Sequence, residues 1–136
     1  MIAGAIPSSC LHLAWPDLEP LLAGAIARAG ESNVAARIRS GAAQLWAVTD
    51  DDRPLAAVVT QVTLRPRKRC LLWLVGGRRL GDWADALLAI IEAWARAMGC
   101  LALWGAGRPG WARIAARHGF CRIADFEGLA AWERRI

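Results

Sequence analysis

Cys70-Leu71-Leu72-Trp73-Leu74-Val75-Gly76-Gly77-Arg78-Arg79-Leu80-Gly81-Asp82-Trp83 is the stretch on which the fold turns. Leu71 to Val75 is an unbroken apolar run, the pattern of a central strand covered on both faces. Gly76-Gly77 ends that run, and Arg78 to Gly81 makes a short basic loop. Asp82 is a suitable helix N-cap and Gly99 a suitable residue just past the helix end. Between them Trp83, Leu87, Ile90, Ile91, Trp94 and Met98 recur at helical spacing, which predicts an amphipathic helix. A strand, a glycine-containing turn and a helix N-terminus aim backbone N–H groups and the helix dipole at one spot. The stretch is therefore a candidate anion site, with two arginines beside it.

Outward from this centre the chain reads as alternating blocks. Upstream, residues 1–16 fit either a short strand or a lip over a pocket. A helix starts at Trp15-Pro16-Asp17 and stops at Gly30, and a second runs from Ser32 or Asn33 to Gly41. Three strands follow, Gln44–Thr49, Leu55–Leu64 and the central one. They are joined by turns at Asp50–Pro54 and Arg65–Arg69, and so predict an antiparallel meander. Downstream, Leu101–Trp104 is an apolar strand, and the intervening helix makes it a right-handed parallel crossover. A short helix from Trp111 to His118 and a hairpin around Glu127-Gly128 close the chain. The order ααβββαβαββ is α+β: a mixed, mostly antiparallel sheet flanked by helices, in one domain spanning 1–136.

Composition narrows the function. At 136 residues with 56% hydrophobic and 21% charged side chains, the chain can bury a real core. Its net charge of +5 favours anionic partners such as nucleotides or phosphorylated cofactors. There is one lysine, Lys68, against sixteen arginines, which fits a GC-rich coding bias, so charge alone is a weak argument for nucleic acid. The basic turn Arg65, Arg67, Lys68 and Arg69 is the one segment that favours it. Cys10, Cys70, Cys100 and Cys121 form no close pair, which argues against zinc and for buried free thiols in a reducing compartment. Asp50-Asp51-Asp52 lacks the downstream Glu of a calcium loop and reads as a solvated turn, so no metal is expected. No basic segment precedes an apolar one at the N-terminus, and Asp85, Glu92 and Arg96 interrupt the most apolar helix. A cytoplasmic protein without a membrane span is the expectation.

The element order resembles the GNAT family of acyl-CoA-dependent N-acetyltransferases over residues 17–134. The most specific piece is His118-Gly119-Phe120, which is similar to the end of the family's penultimate helix. The chain also resembles small GNAT-like proteins of bacteriophage genomes, through Gln44-Leu45-Trp46, Gly76-Gly77, Trp94-Ala95-Arg96 with Gly99-Cys100, and Arg108-Pro109-Gly110-Trp111. The family resemblance implies acetyl-CoA as acyl donor and a small-molecule or protein amine as acceptor. It implies that Leu74 and Val75 offer backbone N–H to the thioester, and that Gly76, Gly77, Arg78, Arg79 and Gly81 bind the pyrophosphate. Against the family pattern Arg/Gln-x-x-Gly-x-Gly/Ala, Trp83 stands where a small residue belongs, Asp82 puts a carboxylate near a pyrophosphate, and the loop is short. Counted back from Gly119, Arg108 takes the usual Asn position and Ala115 that of the general-acid Tyr, and the chain contains no Tyr at all.

Glu127, Asp125 and His118 are the candidate bases, water is a fourth, and no catalytic residue is assigned. Of the tryptophans, Trp73, Trp94 and Trp104 are expected in the core, and Trp15, Trp83 and Trp111 are candidates for a pocket wall. Two other function classes stay open. One is a non-catalytic GNAT-like binding or structural protein, as a homo-oligomer or in a phage particle. The other, weaker, is nucleic-acid binding.

Overall fold

The computed structural model describes all 136 residues. Seven strands form one sheet: β1 (Ile2–Ile6), β2 (Gln44–Asp50), β3 (Arg53–Thr63), β4 (Arg69–Gly77), β5 (Ala102–Gly107), β6 (Cys121–Phe126) and β7 (Leu129–Arg135), in the order β1-β2-β3-β4-β5-β7-β6. Four helices flank it: α1 (Leu11–Ala29), α2 (Val34–Ser40), α3 (Leu80–Ala97) and α4 (Ala112–Arg117). Every pairing is antiparallel except β4 with β5, which α3 connects as a parallel crossover. The expected α+β class, the meander and the closing hairpin are all present.

Strand alternation distributes the core between two faces. Leu45, Ala47, Ala57, Val59 and Leu74 face Leu18 and Leu22 of α1 and Val34 and Ile38 of α2. Trp46, Val48, Ala56 and Val58 face Trp83, Leu87 and Ile91 of α3. Burial on both faces is why β3 and β4 read as continuous apolar runs. Two hairpins use two-residue turns with both residues at positive φ: Asp51 (49°) and Asp52 (62°), then Glu127 (49°) and Gly128 (79°). This backbone matches the twist of the flanking strands, so the aspartates serve the turn. Asp50 pairs with Arg79 at 2.8 Å, and no group of three or more His, Cys, Asp or Glu side chains is arranged to hold a metal. No helix is long and apolar enough to cross a membrane.

Several boundaries differ from expectation. The ambiguous N-terminal segment contributes β1, an edge strand, and then enters α1 at Leu11, one turn before Trp15. Pro16 and Pro20 lie inside α1 on its exposed side, where the carbonyls they leave unbonded can meet water. Strand β4 continues through Gly76 and Gly77, so these glycines belong to the sheet and not to a loop. Helix α3 begins at Leu80, with Arg79 in the left-handed conformation before it, so Asp82 is in the first turn and not the cap. Ile90 on α3 and Met98 just past its end are exposed, and Ala84 and Ala95 take the buried face with Trp83, Leu87 and Ile91.

The thiols also divide. Cys70 and Cys100 are buried, Cys10 is half-buried and Cys121 is exposed, so the expectation of burial fails for Cys121. Burial, with Cys100 nearby, pushes the Cys70 thiol from 9.0 up to about 12 against an opposing hydrogen bond from Thr60. The folded protein therefore keeps this proton where the unfolded chain loses it, and stability falls as pH rises above 9.0. The slope approaches about 1.4 kcal/mol per pH unit for one proton. Urea midpoints measured from pH 8 to pH 11 should show this fall, and Cys70→Ala should lessen it, the remainder coming from Cys100, whose thiol burial also pushes up.

Candidate active site

The site is made by a defect in the sheet. β4 and β5 pair only at Cys70 with Leu103 and Leu71 with Trp104. On the other side of β4 the register jumps from Val59–Leu74 to Thr60–Leu72, leaving Trp73 as a bulged residue. A bulge bends its strand and sharpens the local twist. β4 thus leaves β5 at the bulge, and its edge from Leu72 onward has no ladder partner on that side. The base of the seam is held shut by side chains. Glu133 of β7 pairs with Arg67 and, at 3.0 Å, with Arg69 at the start of β4. The buried Arg69 guanidinium also stacks 4.3 Å from the Trp104 ring.

Above the base the strands open into a cavity of about 450 Å³. Leu72 to Val75 of β4 and Gly105 to Gly107 of β5 form its two edges. Helix α3 contributes Leu80, Trp83, Leu87 and Ile91, helix α4 contributes Ile114, Ala115 and His118, and Trp111 lies just before α4. Ala25 and Arg28 of α1 reach it from the opposite face. The cavity therefore passes between the strands and is accessible to groups from both sides of the sheet. Trp83 and Trp111 line it, as expected of a pocket wall; Trp15 does not and instead bonds Glu19 at 2.9 Å. Trp73, expected in the core, also lines it, under the Arg37 guanidinium at 5.5 Å.

The predicted anion loop is tighter than its sequence suggests. A Cβ on Gly76 would lie 2.0 Å from the Leu21 carbonyl oxygen of α1, and one on Gly77 would lie 2.5 Å from Ala56 Cα of β3. These two glycines let a helix and a strand approach the backbone closely, which is their use in this fold. Arg79 donates to Asp82 at 2.8 Å and to Asp50 at 2.8 Å. Asp82 first, then Asp50, holds its guanidinium charged still more firmly. Arg79 is thus engaged by two carboxylates, and Asp82 is matched to a cation of its own loop. Arg78 is exposed and makes no ion pair; its backbone N–H donates to Leu55 and its carbonyl accepts the Trp83 indole at 2.7 Å. Trp83 therefore turns inward and leaves the helix mouth clear. Gly81, in the first turn of α3, faces open space.

Of the residues predicted to bind cofactor, Leu74 and Val75 lie on the cavity edge, Gly81 lies in the first turn of α3 between the lining residues Leu80 and Trp83, and Arg78 lines a separate polar recess with Asp50, Asp51 and Arg53. Gly76, Gly77 and Arg79 shape the loop from behind. Among the candidate bases, Glu127 and Asp125 are exposed on the last hairpin and do not line the cavity, and only His118 does.

Solved structures share this architecture over nearly the whole chain. The PaiA N-acetyltransferase of Thermoplasma acidophilum, solved in complex with coenzyme A, superposes with a TM-score of 0.68 at 12% identity over 100% of both chains. An acetyltransferase of the GNAT family from Listeria monocytogenes gives 0.67 at 14% identity, over 99% of this chain and 94% of that one. The fold is the GNAT fold. FeeM, an N-acyl amino acid synthase from uncultured soil microbes, superposes on this chain with a TM-score of 0.73 at 9% identity, over 98% and 89% of the two chains. No protein-family model and no curated protein matches the sequence. In this chain the open seam between β4 and β5 and the first turn of α3 border the same cavity.

Proposed function

We propose that residues 1–136 form an acyl-CoA-dependent N-acyltransferase domain, with acetyl as the acyl group and a primary amine, on a small molecule or a protein, as acceptor. The observation that carries this reading is the cavity through the sheet beyond Leu71, with an unpaired strand edge on one side and a helix N-terminus at its mouth. The residues fit the donor: the passage is apolar for the pantetheine arm, and Gly81 leaves room at the start of α3 for a diphosphate. A bound acyl-CoA supplies an acyl group already activated as a thioester. The backbone N–H of Leu74 or Val75 donates to the thioester carbonyl oxygen and stabilises the charge that develops there. The first turn of α3 and the Arg78 guanidinium hold the diphosphate. The walls formed by Trp83, Leu87 and Trp111 exclude water from the thioester. The amine approaches from the α1 side, past Ala25 and Arg28.

A melting experiment tests this. Acetyl-CoA at millimolar concentration should raise the melting temperature by several degrees. Gly81→Glu should remove that shift without unfolding the chain, because its side chain enters open space and sets a carboxylate at the diphosphate position. A folded protein that shows no shift with millimolar acetyl-CoA would sink the enzyme reading.

A non-catalytic binding or structural role, for example in a phage particle or as a homo-oligomer, is the second reading. It is favoured by the engagement of Arg79 with Asp50 and Asp82 and by the absence of Tyr. It predicts no acetyl-CoA shift together with stable self-association or association with a particle. Nucleic-acid binding loses ground because Arg67 and Arg69, half of the basic turn, are paired with Glu133. Buried, unpaired thiols support a reducing compartment such as the cytoplasm.

A further inference from the structure

We infer that His118 is the proton donor to the departing sulfur of the donor thioester, and that Asp85 positions it. This inference rests on the acyltransferase reading. Of the 25 residues that line the cavity, only Arg28, Arg108 and His118 carry titratable side chains. Arginine stays charged under all working conditions and exchanges no proton there. There is no carboxylate, thiol or phenol on the wall, and the chain has no tyrosine to supply one. His118 is therefore the only lining side chain that can both accept and donate a proton at a ring nitrogen.

Its geometry suits the task. Trp111, Ile114, Ala115 and His118 follow at helical spacing, so one stripe of α4 and its entry turn faces the cavity. The His118 side chain is only 11% exposed. Its Nδ1 lies 2.7 Å from Asp85 Oδ1 of α3, and Asp85 itself is 90% exposed. The carboxylate holds the ring through Nδ1–H and leaves Nε2 as the nitrogen without a partner. Arg134 of β7 fixes the backbone beneath: its Nη1 donates to the His118 carbonyl at 2.9 Å, and its Nη2 lies 3.8 Å from Glu92 Oε1 of α3. The charged groups around the ring are thus Asp85 and Glu92 on α3 and Arg134 on β7, with Arg108 further along the cavity wall. An imidazole oriented by a carboxylate at one nitrogen and open at the other is an arrangement for proton transfer.

The side of the sheet fixes the role. His118 is on the α3–α4 side, while α1 faces the opposite side, where Ala25 and Arg28 border the entry proposed for the amine. In the transfer, the amine nitrogen forms the new C–N bond to the acyl carbon. The C–S bond breaks with its electron pair going to sulfur. The His118 imidazolium gives its Nε2 proton to that sulfur, and the proton released from the nitrogen restores the imidazolium through solvent. No other reactant is needed. Loss of this donor should lower kcat on the order of 10²-fold or more while leaving donor binding intact.

The test uses wild-type protein labelled with ¹⁵N-histidine and needs no acceptor. His12, exposed and outside the cavity, supplies the only other imidazole signals, and His12→Gln assigns them. Coenzyme A should move the Nε2 signal of His118 at pH 7, and coenzyme A lacking its thiol should bind yet leave that signal near its free position. Asp85→Asn should keep coenzyme A affinity and weaken the thiol-dependent shift. If coenzyme A binds and His118 responds equally to both ligands, or to neither, the assignment of His118 is overturned while the acyltransferase reading stands. If neither ligand binds, the acyltransferase reading fails and this inference fails with it.

Discussion

Gly76→Ala should destabilise the protein by about 3 kcal/mol or more, the upper end of what overpacking costs. The added methyl carbon would sit 2.0 Å from the Leu21 carbonyl oxygen and 2.9 Å from its carbon. Both are backbone atoms of α1, so no flexible side chain can swing away. Either α1 lifts from β4, exposing Leu18 and Leu22, or β4 shifts against β3 and disturbs the bulge at Trp73. The same substitution five residues later should have the opposite sign. Gly81→Ala meets no atom within 4 Å and lies in the first turn of α3. Replacing glycine by alanine in a helix favours folding by about 0.5–1 kcal/mol. Paired urea denaturation of the two variants checks both signs, and a Gly76→Ala protein as stable as the wild type would contradict the close approach of α1.

Glu133→Ala should cost about 3–5 kcal/mol, the usual penalty for removing one partner of a buried ion pair. The Glu133 and Arg69 side chains are 10% and 8% exposed. Without the carboxylate, the Arg69 charge stays buried against Trp104 with no counter-ion, and Arg67 turns back to solvent. The effect reaches the site because the β4–β5 seam rests on two paired positions at this level. Loosening the base should widen the cavity above it and weaken any ligand gripped between the strands. Arg69→Met combined with Glu133→Ala should recover most of the lost stability, since the uncompensated charge is then gone. Comparable denaturation midpoints for the single and double variants would show that the seam is held by something else.

Local patterns carried much of the fold. The apolar run Leu71–Val75, the turn residues at Asp51-Asp52 and Glu127-Gly128, and the helical stripe of α3 each have a short-range physical cause. What escaped them depends on distant parts of the chain. β1 is a five-residue edge strand of Ile, Ala and Gly with only half a pattern, and it is defined by its pairing with β2. Gly76 and Gly77 suggest an anion cradle when read with the arginines that follow. Their need is set by α1 and β3, more than fifty and about twenty residues upstream. Glycine next to an apolar strand run is itself a signal of close backbone approach.

The site shows the same division. Leu74, Val75 and Gly81 follow from the strand–turn–helix pattern and the resemblance it carries. The engagement of Arg79 by Asp50 joins residues 29 apart, and the contact of His118 with Asp85 joins residues 33 apart. Neither pair has a signature in spacing, because each forms only once the helices pack on the sheet. In the sequence His118 stands out only as one of three candidate bases and as the first residue of His118-Gly119-Phe120, and its place on the cavity wall follows from the packing of α4.

The most direct measurement is an amide chemical-shift titration of ¹⁵N-labelled protein with acetyl-CoA. Saturable shifts should concentrate at Leu72 to Val75 on the open edge of β4 and at Gly81 and Asp82 at the start of α3. No shifts at millimolar acetyl-CoA, or saturable shifts that avoid both the β4 edge and the α3 mouth, would contradict the acyltransferase reading.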